Sequence, residues 1–154
     1  MISQQRLQEL FDYRDGKLYA KHGRQPKFTP ITNHHRYIRM RVDGVVYTLH
    51  RLIFIYHHGY APKIIDHINN DRSDNRIENL REATQQQNCL NRRVHTNNKS
   101  GIKNVYFDKG CKKWGVQITV DQKRKLIGYF EDIELAELVA IEARSKFHGT
   151  FARG

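Results

Sequence analysis

The sequence predicts an α+β chain, and three patterns carry that expectation. A hairpin pattern followed by an apolar helical stripe occupies the first third, three short β-patterned runs follow Gly101, and a long helical stripe closes the chain. The tail is therefore expected to be a three-stranded antiparallel sheet packed on one helix. At 154 residues the whole is one ordinary domain or two small ones.

The first element is an amphipathic helix over Ser3 to Tyr13, with Leu7, Leu10 and Phe11 on one side and Ser3 as its cap. Asp15-Gly16 turns the chain. Tyr37 to Val42 and Val45 to Leu49 flank Asp43-Gly44, an Asp-Gly step that supplies the positive φ of a tight hairpin turn. His50 to His58 is helical, with Leu52, Ile53, Ile55 and Tyr56 as its apolar stripe. Gln85-Gln86-Gln87-Asn88 suits a short helix, and Asn97-Asn98-Lys99-Ser100 reads as a linker. Strands follow at Asn104 to Asp108, Trp114 to Val120 and Lys125 to Phe130, with turns at Lys109-Gly110 and Asp121-Gln122. The closing helix runs from about Ile133 to His148; Ala136, Val139, Ala140, Ala143 and Phe147 face the sheet, and Gly149 ends it.

Charge narrows the function. There are 27 Lys and Arg against 16 Asp and Glu, a net charge of +11, and only 38% hydrophobic residues. Such a balance points to a polyanionic partner. No run of about 18 apolar residues, lipidation signal or charged leader directs the chain to a membrane, so it is expected to be soluble and cytoplasmic. Cys89 and Cys111 form no C-x-x-C pair and are expected to be reduced thiols. Residues 1–60 hold ten basic and four acidic side chains, 61–98 six and five, and 99–154 eleven and seven. A nearly neutral middle between two basic flanks suits a catalytic centre between DNA-holding parts, although surface charge is also uneven by chance.

That middle is rich in Asn, Asp and His. Mg²⁺ takes hard oxygen ligands from few protein groups, and one carboxylate with one amide oxygen meets that need. A neighbouring imidazole, with its pKa near working pH, takes a proton from water. Asp66, His67 and a later Asn supply these functions. Each has a blander reading: an isolated Asp-His pair is ordinarily a surface or capping arrangement, and His50 at a helix start is ordinarily a structural donor. Asp71 and Asp74 read as turn formers, since Arg76 stands where a calcium loop demands Gly. His57-His58 with Cys89 is a weak zinc signal.

The stretch Ile64 to Asn88 resembles the ββα-metal, or His-Me finger, site of H-N-H endonucleases, in particular the phage homing-type branch. The resemblance rests on Asp66-His67, on Asn79 in Asn75-Arg76-Ile77-Glu78-Asn79-Leu80, and on Asn88. It implies a ββα-metal nuclease core in which His67 is the general base, Asp66 and Asn88 hold one divalent metal, and Asn79 ties the loop so that His67 points correctly. The implied cofactor is Mg²⁺, with Mn²⁺ as the alternative. The implied reaction is phosphodiester hydrolysis to 5′-phosphate and 3′-hydroxyl ends. Residues 1–60 resemble the scaffold that precedes phage H-N-H sites, and 61–98, the nuclease motif, is expected to fold with it; Arg36, Arg39 and Arg41 are candidate phosphate contacts.

Residues 99–154 resemble the DNA-binding domain of plant Apetala/ethylene-response factors. Lys103-Asn104-Val105-Tyr106, Lys113-Trp114-Gly115-Val116-Gln117-Ile118, Leu126-Ile127-Gly128-Tyr129-Phe130 and Glu134-Leu135-Ala136 carry the likeness. Alternation in the middle strand sends Trp114, Val116, Ile118 and Val120 to the helix and Lys113, Gly115, Gln117 and Thr119 to an open face. With Lys103, Tyr106, Lys123, Arg124 and Lys125 nearby, that face is expected to hold double-stranded DNA. Lys103 and Tyr106 replace arginines of the plant pattern, and Gln117 and Thr119 replace its charged pair, so base preference does not carry over.

The sequence thus reads as a metal-dependent homing-type DNA endonuclease of phage origin, a monomer with one site per chain. The rival readings are a sequence-specific DNA-binding regulator with an inactive nuclease site and an RNA-binding accessory protein, which leaves the metal constellation unused.

Overall fold

A computed structural model describes residues 2–32, 36–91, 94 and 98–151. The architecture is α+β, and the chain divides into two compact units, Met1–Gln85 and Gln86–Gly154. Among the described residues no helix is long and apolar enough to cross a membrane.

The first unit begins with α1 (Gln4–Leu10), capped by the Ser3 hydroxyl, which accepts from the Arg6 N–H at 3.1 Å. The helix expected to reach Tyr13 stops at Leu10. Phe11 turns extended and opens β1 (Phe11–Arg14), which pairs antiparallel with β2 (Lys17–Ala20), Phe11 opposite Ala20. Pairing with β2 satisfies the strand's backbone groups while Phe11 stays buried, so the helix has nothing to gain by continuing. Then come β3 (Phe28–Thr29), β4 (Arg39–Val42) and β5 (Val45–Thr48) in one antiparallel sheet, with β4 in the centre and Asp43-Gly44 at the expected hairpin turn. The next element is α2 (Leu49–His58), ended by Gly59 at φ +81°. Its Leu49, Leu52, Ile53, Phe54 and Ile55 are buried with Leu7, Phe11, Leu18, Met40 and Val42. Gln4 and Gln8 donate from α1 to the Tyr56 carbonyl at 3.0 and 3.1 Å, satisfying a helix-end acceptor of α2.

On this base stands a small hairpin, β6 (Ile65–His67) with β7 (Leu80–Glu82), joined by a loop that ends in a 3₁₀ turn, Ile77–Asn79. Ile65 and Leu80 anchor it in the core. Two contacts tie the loop to the N-terminal hairpin: the Tyr13 hydroxyl accepts from the Ile77 N–H at 2.9 Å, and Gly16 is pressed against the Asn75–Arg76 backbone.

α3 (Gln85–Leu90) starts at the boundary between units. In the second unit β8 (Val105–Asp108), β9 (Lys113–Val120) and β10 (Lys123–Phe130) form an antiparallel sheet with β9 in the centre. The final helix, α4 (Ile133–His148), is capped by Asp132, whose carboxylate accepts from the Glu134 and Leu135 N–H groups. Val105, Val116, Ala136 and Ala140 form the core, with Trp114, Ile127, Phe130 and Val139 around them. Arg144, buried on α4, donates to the Lys103 carbonyl at 2.8 Å. Asn98 to Ser100, expected as linker, instead form a local hydrogen-bonded turn. Asn98 Oδ1 accepts from the Ser100 N–H at 3.0 Å, and Ser100 Oγ donates to the Val105 carbonyl at 2.7 Å. Asn97 lies outside the described residues.

Gly16 has φ +75°, and a Cβ there would stand 2.7 Å from the Arg76 nitrogen. Gly16→Ala should therefore lower the stability of the first unit by about 1–3 kcal/mol, read as a fall in its urea midpoint. Gly44→Ala is the control: φ is +79° but nothing lies within 4 Å, so only the left-handed strain of about 1 kcal/mol should appear.

Candidate functional site

His67 ends β6 and Asp66 precedes it, both buried, with 4% of each residue exposed to solvent. Alternation along the strand sends their side chains to opposite faces. In the antiparallel register Asp66 faces Arg81 and His67 faces Leu80. Arg81 uses the first pairing: its Nε and one terminal nitrogen donate to Asp66 Oδ2 at 3.0 and 2.9 Å.

The loop after His67 closes on Asn79. The Asn79 Oδ1 accepts from the Asn69 N–H at 2.9 Å, and its Nδ2 donates to Asn69 Oδ1 at 2.9 Å and to the Asp74 carbonyl at 2.8 Å. The expected turn formers behave as such. Asp71 accepts from the Ser73 N–H at 2.8 Å, and Asp74 is paired with Arg76 at 2.8 Å, which holds its carboxyl down at about 2.

Inside this loop His67 Nε2 lies 3.1 Å from Oδ1 of Asn75, itself only 2% exposed. The Tyr37 ring stacks near the imidazole, 6.1 Å between centres at 19°, and the His50 ring meets it edge-on at 5.3 Å. The Arg72 guanidinium sits 5.3 Å from the Tyr37 ring centre. Burial is the main cause that lowers the His67 pKa; the Asn75 contact and the Asp66 charge oppose it, and Arg72 adds to the lowering. The resulting imidazole is neutral near pH 7 and partly enclosed.

His50, which opens α2 with Leu49, lies beside this base, buried, and its Nδ1 has no hydrogen-bond partner among the described residues. Asn88 lies half-buried on α3, in the second unit. The structure thus brings Asp66, His67 and Asn79 together on one hairpin, and adds Asn75, Tyr37, Arg72 and Arg81. Asn75 and Arg81 had a sequence signal: Asn75 lies four residues before Asn79 in the motif, and Arg81 falls opposite Asp66 once the hairpin register is drawn. Among the described residues no group of three or more His, Cys, Asp or Glu converges as a metal cluster. A divalent ion here would draw on Asp66 and on amide oxygen, a hard donor set that fits Mg²⁺.

In the second unit the register sorts the other candidates. Tyr106 lies opposite Gly115, Lys113 opposite Asp108, Gln117 opposite Leu126, and Thr119 opposite Arg124. These share the face turned away from α4. Gly115 is needed there, since a Cβ would stand 2.5 Å from the Tyr106 ring. A bulge between Leu126 and Gly128 brings Tyr129 opposite Gly115 as well, its hydroxyl 3.5 Å from that of Tyr106. That contact is the main cause raising the Tyr129 pKa to about 12. The bulge is what puts Tyr129 on this face, since strict alternation from Lys125, which pairs with Ile118 on the α4 side, would turn it to the helix.

Other expected contacts are engaged elsewhere. Lys125 lies opposite Ile118, on the α4 side, and its ammonium sits 4.8 Å from the Phe147 ring centre; Lys123 lies opposite Val120 on that same side. The Lys103 ammonium donates to the Leu90 carbonyl, Lys113 pairs with Glu131 at 3.2 Å, and in the first unit Arg41 donates to the Gly44 carbonyl of its own hairpin turn at 3.2 Å. Arg39 is half-buried on β4, opposite Thr48, and Arg36 is exposed. Cys89 and Cys111 are free and exposed, and Cys89 joins no zinc cluster among the described residues.

A short antiparallel pair that presents a buried Asp-His step, followed in sequence by a helix, is the ββα element of an HNH endonuclease, and residues 47–90 match the HNH endonuclease family. The chain belongs to the family of protein 3.8 of Escherichia phage T7, with which it is 32% identical over 99 residues, 62% of this chain and 79% of that protein. No solved structure matches it. The HNH match over residues 47–90 supports a nuclease role; such a domain implies DNA as substrate, and HNH nucleases generally use a divalent ion.

His50 gives the first unit a pH signature. Burial, then the neighbouring His67 and Arg51, lower its pKa from 6.5 to about 3. Between those values the unfolded chain binds a proton that folded His50 refuses, so stability present at pH 7 is lost as the pH falls below 6.5. Comparing urea midpoints at pH 7 and pH 5, the loss should be about 2 kcal/mol smaller in His50→Leu than in the native chain.

Proposed function

We propose that the protein is a homing-type, metal-dependent DNA endonuclease that hydrolyses phosphodiester bonds to 5′-phosphate and 3′-hydroxyl ends. The observation that carries this reading is a buried, neutral imidazole beside a buried carboxylate on a hairpin whose loop is locked by amide hydrogen bonds. In this mechanism His67 takes a proton from water, the water oxygen attacks phosphorus, and the bond to the 3′ oxygen breaks. That oxygen takes its proton from solvent, and His67 returns its own. Asp66, held by Arg81, and Asn88 are the proposed ligands of one Mg²⁺, with Mn²⁺ as the alternative. When bound, the ion neutralises charge on the phosphate and the leaving oxygen. Asn79 is the residue that keeps the loop, and with it His67, in place.

The open sheet face of the second unit holds double-stranded DNA in this reading, in the manner of the Apetala/ethylene-response-factor domains it resembles. Tyr106 and Tyr129 supply planar surface, Gln117 and Thr119 polar groups, and Arg124 charge, while Lys113 joins only by giving up its pair with Glu131. One site per chain suits a monomer that nicks.

The test is conversion of supercoiled plasmid to open-circle and linear forms. Cutting should require a divalent ion and stop with EDTA. His67→Ala should slow it by about 10²–10⁴-fold while DNA binding persists, the span expected of a general base. Native protein that binds its target tightly without cutting it would favour the regulator reading instead. The sheet face has its own check. Arg124→Ala should reduce the slope of log binding constant against log salt by about 0.9, one phosphate contact, whereas Lys125→Ala, turned to α4, should leave the slope unchanged.

A further inference from the structure

We propose that Asn75 is the residue that decides which nitrogen of His67 acts as the base; this rests on the nuclease reading above. Asn75 Nδ2 donates to the Ser73 carbonyl at 3.1 Å, and a carbonyl accepts only from the NH₂ end of an amide, so Oδ1 is the end turned to His67. That oxygen can only accept. His67 Nε2, 3.1 Å away, therefore carries the ring's hydrogen, and the lone pair of the neutral imidazole resides on Nδ1.

Asn75 is well placed to hold that choice. It is 2% exposed, so water does not compete for its amide. Its backbone is braced from outside the loop, with Gly16 packed on the Asn75 carbonyl carbon and the Ile77 N–H given to the Tyr13 hydroxyl. The same contact serves the charged state, because Oδ1 continues to accept from Nε2–H after Nδ1 has taken a proton. Asn75 touches no substrate in this scheme. It is a positioning residue, acting through the imidazole.

The experiment is nitrogen-15 NMR of the histidine side chains at pH 7.5 alongside plasmid cleavage, on the full chain and on Asn75→Asp and Asn75→Leu. In the native chain His67 should show the Nε2–H tautomer. Asn75→Asp keeps an acceptor and should keep both the tautomer and most of the turnover. Asn75→Leu, similar in size without an acceptor, should lose the single tautomer and drop kcat by roughly 10–100-fold with little change in KM, the same range as for partners that orient a metal-bound imidazole. A native His67 in the Nδ1–H form overturns the assignment whether or not the variants fold. So does full kcat in Asn75→Leu. Failure of the nuclease reading would look different: the native chain would hold the Nε2–H tautomer and cut nothing.

Discussion

The amide of Asn79 closes the loop between β6 and β7, and most of the site depends on that closure. Its three hydrogen bonds to Asn69 and Asp74 fix both ends of a polar loop that has almost no apolar surface to bury. With the loop closed, the hairpin has one register, and that register sets Asp66 against Arg81 and His67 against Leu80. A slip by one residue would exchange the faces of the carboxylate and the imidazole. Amides suit such a clamp because each offers a donor and an acceptor without bringing another charge beside His67.

Two different economies operate in the two units. In the first, apolar burial supplies the base on which the polar hairpin rests, through Ile65 and Leu80. In the second, the core is small and Ala-rich, and directed contacts add to it: Arg144 bonds the Lys103 carbonyl, and Asn98 with Ser100 wraps the entry to β8. α4 covers one side of the sheet through Ala136 and Ala140, and on the other side Tyr129 is exposed and Tyr106 half-buried around Gly115.

Much of this was legible in the sequence. Asp43-Gly44 marked its hairpin, the alanine stripe marked α4 from Ile133 to His148, and alternation in β9 assigned both faces correctly. Less was legible where the answer depends on a partner strand. The end of α1 depends on β2, which competes for the backbone of Phe11. The placement of Lys125 and Tyr129 depends on where β10 pairs and bulges. Charge counting grouped Lys103, Lys113 and Lys125 with Arg124, but each of the three has a contact of its own within the unit. At the nuclease hairpin the motif letters identified the region; the partnership of Asn75 with His67 needed the folded loop.

The contacts that brace this loop from residues 13 and 16 make the site non-local in sequence. The Tyr13 hydroxyl and the Ile77 N–H are 64 residues apart in sequence. A local hairpin can pair β6 with β7 early, since loop closure over so few residues is fast, but the bracing arrives only after a much longer closure. Strand pairing alone therefore does not supply the geometry around His67, which also needs contacts from residues 13 and 16. The geometry around His67 is in this sense a property of the whole first unit and not of the hairpin by itself.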